Sequence, residues 1–135
     1  MAFNVEFTVY GTPRPQGSMR AFIPRGAKFP VVTADNKKLK PWRNEVAGVA
    51  VSLDVQCIAA HIPVSVDIAF FFARPKSVKR TAMTVKPDID KLIRSVLDAI
   101  TGILINDDSQ VCSVLATKAY SSTERAVIRL TEQQS

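Results

Sequence analysis

The chain contains little histidine and little cysteine, and this shortage argues against several kinds of active site. Its 135 residues include one histidine, His61, and two cysteines, Cys57 and Cys112. A closed zinc site built from cysteine and histidine needs four such ligands, so structural zinc is not expected. His61 lies near Pro63 in an apolar segment, which is a poor position for the base of a catalytic triad. Any chemistry must therefore rest on carboxylates, lysines and arginines.

Other common signatures are also missing. The sequence has neither a Walker-type phosphate loop nor a G-x-G-x-x-G motif, so no small-molecule cofactor is expected. No signal peptide is visible, and the most apolar stretch, Ile58–Ala73, is too interrupted to span a membrane. Two cysteines in a chain able to build its own core favour a reducing, cytoplasmic compartment over a disulfide scaffold.

What the sequence does contain is enough apolar residues for one compact domain, expected to cover residues 1–135. Hydrophobic residues make up 47% of the chain, which argues against intrinsic disorder. The formal net charge is +6 at pH 7 and the isoelectric point is near 9.6. A positive excess indicates a polyanionic partner, although it says nothing about the fold.

Hydrophobic periodicity predicts an α/β (α+β) domain with one small mixed sheet and two main helices packed on it. Turn residues separate the expected elements. These are a strand at Phe3–Tyr10, a loop at Gly11–Lys40, a helix from Pro41 to about Ala60, a strand at Val64–Phe72, a helix from Asp88 to about Gly102, an acidic turn at Asn106–Asp108, and strands at Val111–Tyr120 and Ala126–Thr131.

The positive charge is concentrated in two segments expected to be loops. The first basic segment, Gly11–Arg43, carries eight basic side chains against one acidic side chain. The second basic segment, Arg74–Lys86, carries five basic side chains and no acidic one. Clustered cations on loops suit nonspecific binding to a nucleic-acid backbone, because each neutralised phosphate releases counterions. The alternative is two solvated loops that only keep the protein soluble.

Two acidic groups stand out against this basic background. Asp88 and Asp90 open the second predicted helix, and Asp107 and Asp108 follow it. Two or three carboxylates suffice for Mg²⁺, which prefers oxygen ligands and keeps several waters, and such a site can activate water for phosphodiester hydrolysis. The alternative is structural, with Asp88 as a helix cap, Asp90 complementing the helix dipole and Asp107–Asp108 forming a turn.

Arg94 falls between two acids on one stripe of the same helix. Asp90, Arg94 and Asp98 are spaced i, i+4 and i+8 beside its apolar face. One interpretation is a surface ion-pair ladder of small energetic value. The other is that Arg94 faces the carboxylates and contacts the scissile phosphate.

The run from Lys86 to Val111 resembles the RusA family of Holliday-junction resolvases. That family combines a D-x-D pair opening a helix, an L-D-A-L-like stretch within it, and then D-D-x-Q-[VI]. The corresponding elements here are Asp88 with Asp90, Val96–Ile100, and Asp107–Val111. The match covers about Lys86 to Tyr120, and the loop at residues 11–20 is loosely similar to the proline-rich basic loops of phage-type members.

The resemblance implies a homodimeric, Mg²⁺-dependent endonuclease that cuts branched DNA at four-way junctions, with Mn²⁺ as a possible substitute. Asp88, Asp90 and Asp108 would be the catalytic, metal-binding carboxylates, with Asp107 as a less certain ligand. Arg94 stands where the family tends to have a functional lysine, and Lys91 stands where asparagine is common. The side chains expected on DNA are Arg14, Arg20, Lys79, Arg80, Lys86, Lys91 and Lys118.

The sequence therefore predicts a junction-resolving endonuclease acting in DNA recombination and repair. Its expected location is the cytoplasm of a bacterial or phage-infected cell. A two-fold symmetric junction needs two cuts, which one small domain with one carboxylate cluster provides most simply as a C2 dimer. Two alternatives stay open from the residues alone, namely a noncatalytic nucleic-acid-binding module and a general or flap nuclease that uses the same carboxylates.

Overall fold

The computed structural model describes residues 4–17, 19–22, 26, 31–34 and 38–133. Within these residues the chain forms six strands and two α-helices, together with one short 3-10 helix at Asp108–Gln110. In chain order they are β1 (Asn4–Tyr10), β2 (Met19–Phe22), β3 (Val31–Ala34), α1 (Leu39–Ser52), β4 (Val64–Phe72), α2 (Ile89–Ile100), β5 (Val111–Tyr120) and β6 (Arg125–Glu132).

The main sheet has four strands in the order β1-β6-β4-β5. Strand β6 is antiparallel to both β1 and β4, whereas β4 and β5 are parallel. Strands β1, β4 and β5 therefore all end at the same edge of the sheet, where β6 begins. A separate antiparallel pair is formed by β2 and β3. The mixed sheet with two helices confirms the expected α+β class.

The core lies between one face of the main sheet and the two helices. In β4 alternate side chains are buried, as the pleat of a strand requires. The β-branched and aromatic composition of β4 suits this half-buried surface. Helix α2 places apolar residues three and four apart, so a continuous stripe faces the core. The residues buried from these two elements include Val64, Val66, Ile68, Phe70, Phe72, Leu92, Val96 and Ile100.

The first helix ends about eight residues earlier than the sequence predicted. It was expected to reach about Ala60, but α1 ends at Ser52, and Asp54 has a positive φ of 51°. Further on, the Ile58 main-chain N–H donates to the Leu104 carbonyl oxygen at 2.8 Å, and Ile58 forms an isolated bridge with Ile105. The segment after α1 is thus held by distant residues, which local periodicity does not reveal.

The first basic segment is not a continuous loop. The expected loop at Gly11–Lys40 contains β2 and β3. Each of these strands has only four residues, too few for a clear alternating pattern next to glycine and proline. Arg20 lies in β2, whereas Arg25, Lys28 and Lys37 lie outside the described residues.

Two further findings concern membrane-spanning helices and disulfides. Among the described residues, no helix combines the length and the apolar character needed to cross a lipid bilayer. Cys57 and Cys112 are both free thiols, in agreement with the expectation that the fold uses no disulfide.

Candidate active site

The first pair of carboxylates lies at the N-terminus of α2. Asp88 is extended at the N-cap position, but its carboxylate accepts no capping hydrogen bond from the described helix. Its Oδ2 lies 3.9 Å from Nζ of Lys91, one turn along, and the two side chains are 52% and 40% exposed. Asp90 lies in the first turn and is exposed. Capping therefore does not account for Asp88, and both carboxylates reach solvent at the positive end of the helix dipole.

The segment before Asp88 is held by a lysine from the neighbouring strand. Nζ of Lys118, on β5, donates to the carbonyl oxygens of Val85 at 2.6 Å and Pro87 at 2.9 Å. The Lys86–Pro87 peptide bond is cis. An ammonium group has three donors, so these two bonds leave a third for another acceptor. Lys118 was predicted as a DNA contact, and its hydrogen bonds within the protein are to the main chain just before the first carboxylate pair.

The second pair of carboxylates is fixed by a capping box. Asp107 Oδ1 accepts from the Ser109 main-chain N–H at 2.9 Å, which caps the 3-10 helix. Oε1 of Gln110 accepts in return from the main-chain N–H groups of Asn106 at 2.7 Å and Asp107 at 3.0 Å. This reciprocal arrangement is the one that a D-x-x-Q sequence favours.

Gln110 also connects the acidic turn to the core. Its side chain is 6% exposed, and Nε2 donates to the carbonyl oxygens of Ala59 at 2.9 Å and Ile62 at 3.0 Å. All four hydrogen-bonding positions of the amide are therefore used. Gln110 was predicted only as a part of the family motif, although its position three residues after Asp107 was a local signal for this role.

The pKa values of Asp107 and Asp108 are shifted in opposite directions. Hydrogen bonds from the Ser109 main chain, the Ser109 side chain and Asp108 lower the pKa of Asp107. The bond with Asp107, the loss of solvation and the negative charges of Asp107 and Asp98 raise the pKa of Asp108, which the Arg94 guanidinium partly opposes. The pair is thus a site of crowded negative charge, a situation that a bound cation relieves.

Helix α2 carries an acidic side chain towards each of its ends. Asp90 is at its N-terminus, and Asp98 is two turns further on, about 12 Å along the axis. Asp108 is close enough to Asp98 and Arg94 to be affected by both charges. Arg94 is exposed on the stripe between the two acids of the helix. In the part of the chain that is described, no three carboxylate, thiol or imidazole groups lie together as a preformed metal centre.

The basic segments approach the same helix. The Gln16 main-chain N–H donates to the carbonyl oxygen of Lys91 at 2.9 Å, which brings the first basic segment against the first turn of α2. Arg14 is half-buried in a groove that Lys38 and Glu45 also line. In the second basic segment all five cations are exposed. They are Arg74, Lys76, Lys79, Arg80 and Lys86.

Comparison with known proteins shows to which family this chain belongs. The family model described as "Endodeoxyribonuclease RusA" matches residues 11–131, nearly the whole chain. This chain belongs to the RusA family. The match extends well beyond residues 86–120, to which the sequence analysis had limited the clear resemblance, and it includes both basic segments.

Two relatives match over nearly their full length. The uncharacterized protein YqaN of Bacillus subtilis is 33% identical over 140 residues, covering 95% of this chain and 96% of the relative. The crossover junction endodeoxyribonuclease rusA of Lactococcus phage r1t is 26% identical over 144 residues, covering 98% and 99%. The predicted enzyme class, a DNA-hydrolysing endonuclease of the Holliday-junction resolvase family, is thereby confirmed, and the family implies a branched DNA substrate.

RusA-type nucleases depend on a metal ion, and the donors in this chain have suitable chemistry. Asp88, Asp90, Asp107 and Asp108 are exposed carboxylates, which are the hard oxygen ligands that such ions take. An ion that keeps most of its waters needs only one or two of them.

Proposed function

We propose that this RusA-family chain is a magnesium-dependent, structure-selective endonuclease that resolves four-way DNA junctions by paired symmetric incisions. The observation that carries the proposal is the position of Asp88 and Asp90 at the N-terminus of α2, with the exposed Arg94 one turn after Asp90 and close enough to Asp108 to lower its pKa, in a chain that matches the family almost throughout. The whole chain, residues 1–135, would act as one endonuclease domain in the cytoplasm of a bacterial or phage-infected cell.

The proposed metal ligands are Asp88, Asp90 and Asp108, with Asp107 as a neighbouring donor. Bound Mg²⁺, or Mn²⁺ in its place, supplies an activated water and neutralises charge on the phosphate. Arg94 is the proposed catalytic contact to the scissile phosphate. The positive charge of its exposed guanidinium lowers the pKa of Asp108, which supports a position of both side chains near the same bound phosphate. Arginine presents a planar fork of donors where the family tends to have lysine, so phosphate contact here would be bidentate.

Binding would rest on phosphate contacts and on the shape of the junction. The proposed contacts are the side chains of Arg14, Arg20, Lys79, Arg80, Lys86, Lys91 and Lys118. The location of the first basic segment next to Lys91 supports one continuous basic surface beside the carboxylates. For Lys118 the third ammonium donor is the one available to DNA.

Two chains would act together. A four-way junction is approximately two-fold symmetric, and a C2 homodimer places two identical sites about the same axis. No small-molecule cofactor and no membrane contact form part of the proposal.

Cleavage of a synthetic four-way junction tests this function. Each of the four strands is end-labelled in turn, and purified protein is added with Mg²⁺ or Mn²⁺. We expect nicks at symmetric positions on two opposing strands, with matched linear duplex largely spared. Binding without cutting in either metal would support the noncatalytic module instead. Faster cutting of a three-strand flap than of the junction, in direct competition, would indicate a flap nuclease.

A further inference from the structure

We propose that Glu124 is a positioning residue that holds the two basic segments in a fixed relation, so that they bind one junction together. The proposal rests on the proposed DNA contacts of these segments. It concerns a residue outside the carboxylate site, in the turn between β5 and β6. Glu124 is not assigned any contact with DNA or with metal.

The Glu124 carboxylate connects the beginnings of both segments. Oε1 accepts from the hydroxyl of Thr12 at 2.6 Å, and Oε2 accepts from the main-chain N–H of Ala73 at 3.1 Å. The main-chain N–H of Gly11 also donates to the Glu124 carbonyl oxygen at 3.1 Å. Thr12 belongs to the first basic segment, and Ala73 directly precedes Arg74 of the second. One side chain therefore holds two segments that are far apart in sequence.

The turn that carries Glu124 is itself braced. Arg125 Nη1 donates to the hydroxyl of Ser121 at 3.0 Å and to the carbonyl oxygen of Thr123 at 2.8 Å. The same guanidinium lies 4.0 Å from the ring centroid of Phe71, a cation–π contact to β4. The Ser121 main-chain N–H donates to the carbonyl oxygen of Phe72 at 2.8 Å. Glu124 thus projects from a rigid edge of the sheet, where β1, β4 and β5 all end.

Because Glu124 is negatively charged, a positioning role can be distinguished from an effect of its charge on DNA affinity. An acidic side chain beside two cationic segments lowers the positive potential that attracts DNA. If Glu124 affected binding only through its charge, removing it would strengthen the binding of a polyanion. If it acts by positioning, removing it leaves the two segments free to move relative to each other. The entropy lost when they become ordered on DNA then reduces the affinity. The two explanations predict changes of opposite direction.

Affinity for the four-way junction is measured without divalent metal, so that no cutting occurs, for the full-length wild type, four single variants and the Thr12→Val, Glu124→Ala double variant. Glu124→Gln keeps the size of the side chain but presents an NH₂ group to one of its two donors. Glu124→Ala removes both acceptors. Thr12→Val removes one donor and leaves the charge unchanged. Glu45→Gln is the matched control, because Glu45 is an exposed carboxylate in the groove that contains Arg14.

We expect Glu124→Ala to weaken junction binding about ten-fold, and Glu124→Gln and Thr12→Val to weaken it about three- to five-fold, as expected for one or two lost hydrogen bonds. Glu45→Gln should bind slightly more tightly than wild type. The Thr12→Val and Glu124→Ala effects should be less than additive in the double variant, because both break the same contact. Thr12→Val keeps the test decisive if a Glu124 variant does not fold.

The outcomes separate this inference from the proposed function. A wild type that neither binds nor cuts the junction overturns the proposed function. A wild type that does both, with Glu124→Gln tightening binding as Glu45→Gln does, shows a charge effect and overturns the positioning role. Binding by Thr12→Val within two-fold of wild type overturns it as well.

Discussion

The ammonium group of Lys118 donates a 2.9 Å hydrogen bond to the carbonyl oxygen of Pro87, the residue directly before Asp88. A second bond, of 2.6 Å, reaches the carbonyl oxygen of Val85. Strand β5 therefore determines where the main chain enters α2, and with it the position of the first carboxylate pair. Small displacements of reacting groups can cost a large part of a catalysed rate, so this contact bears on catalysis as well as on folding.

Lys118→Met keeps an unbranched side chain and removes the ammonium group. We expect the single-turnover cleavage rate at saturating enzyme to fall roughly ten-fold, because the segment before Asp88 loses two hydrogen bonds. Junction affinity should fall by less, since only one donor of the group is available to DNA. The measurement compares rate and affinity on the same substrate. A large loss of affinity with an unchanged rate would show that Lys118 acts mainly as a DNA contact.

Gln110→Met tests the connection between the acidic turn and the core. The substitution keeps the approximate volume but leaves two N–H groups and two carbonyl oxygens without their partner. We expect the free energy of unfolding to fall by about 2–4 kcal/mol, measured by urea denaturation. The control is Gln56→Met, because Gln56 is exposed. Equal stability of the two variants would contradict the structural role of Gln110.

Much of the fold was predictable because its main elements follow strong local patterns. Strand β4 has the limits that were predicted, and α2 lies within the predicted range. The end of α1 was not predictable, since Ile58 is held by Leu104 and Ile105. Glu124 gave no local signal either. Its partners Thr12 and Ala73 are 112 and 51 residues away in the chain.

For the candidate site, the sequence predicted residues but not their arrangement. The four carboxylates and Arg94 stay predicted site residues, which the sequence placed around one helix. It did not indicate that Asp108 lies near Asp98, which depends on the course of the chain between α2 and β5. Nor did it indicate that the Asp88 carboxylate makes no capping hydrogen bond. An aspartate at an N-cap position has the same sequence pattern whether or not its side chain caps the helix.

Asp90→Asn distinguishes an enzyme from a binding module. If Asp90 is a metal ligand, we expect cleavage of the four-way junction in Mg²⁺ to fall by about a hundred-fold or more, with binding preserved, because the variant removes a charged ligand from an exposed position. Asp67→Asn is a matched control, since Asp67 lies on the sheet face away from the helices, near Arg129. If Asp90→Asn cuts the junction as fast as Asp67→Asn, Asp90 is not a metal ligand and only complements the dipole of α2.

Substitutions of Arg94 distinguish a catalytic contact with the phosphate from a surface ion-pair ladder on α2. Arg94→Gln should reduce the cleavage rate by about a hundred-fold if the guanidinium contacts the scissile phosphate. Arg94→Lys should retain most of the rate, because a positive charge remains, although bidentate contact is lost. A ladder would instead give nearly unchanged cleavage in both variants and a stability change of only about 0.5 kcal/mol. Single-turnover rates and urea denaturation of both variants distinguish the two interpretations.

The salt dependence of binding tests the second basic segment. Lys79 and Arg80 are adjacent, exposed and free of nearby acids within their segment. If each neutralises one phosphate, the double substitution Lys79→Gln, Arg80→Gln should make the slope of log K against log salt concentration shallower by roughly 1.8. Affinity should fall for the junction and for linear duplex alike, because phosphate contacts carry no base information. Lys76→Gln in the same segment measures the effect of one neighbouring charge. An unchanged slope in the double variant would mean that Lys79 and Arg80 stay in solvent when the junction is bound, and the phosphate contacts would then be made by the other proposed side chains, Arg14, Arg20, Lys86, Lys91 and Lys118.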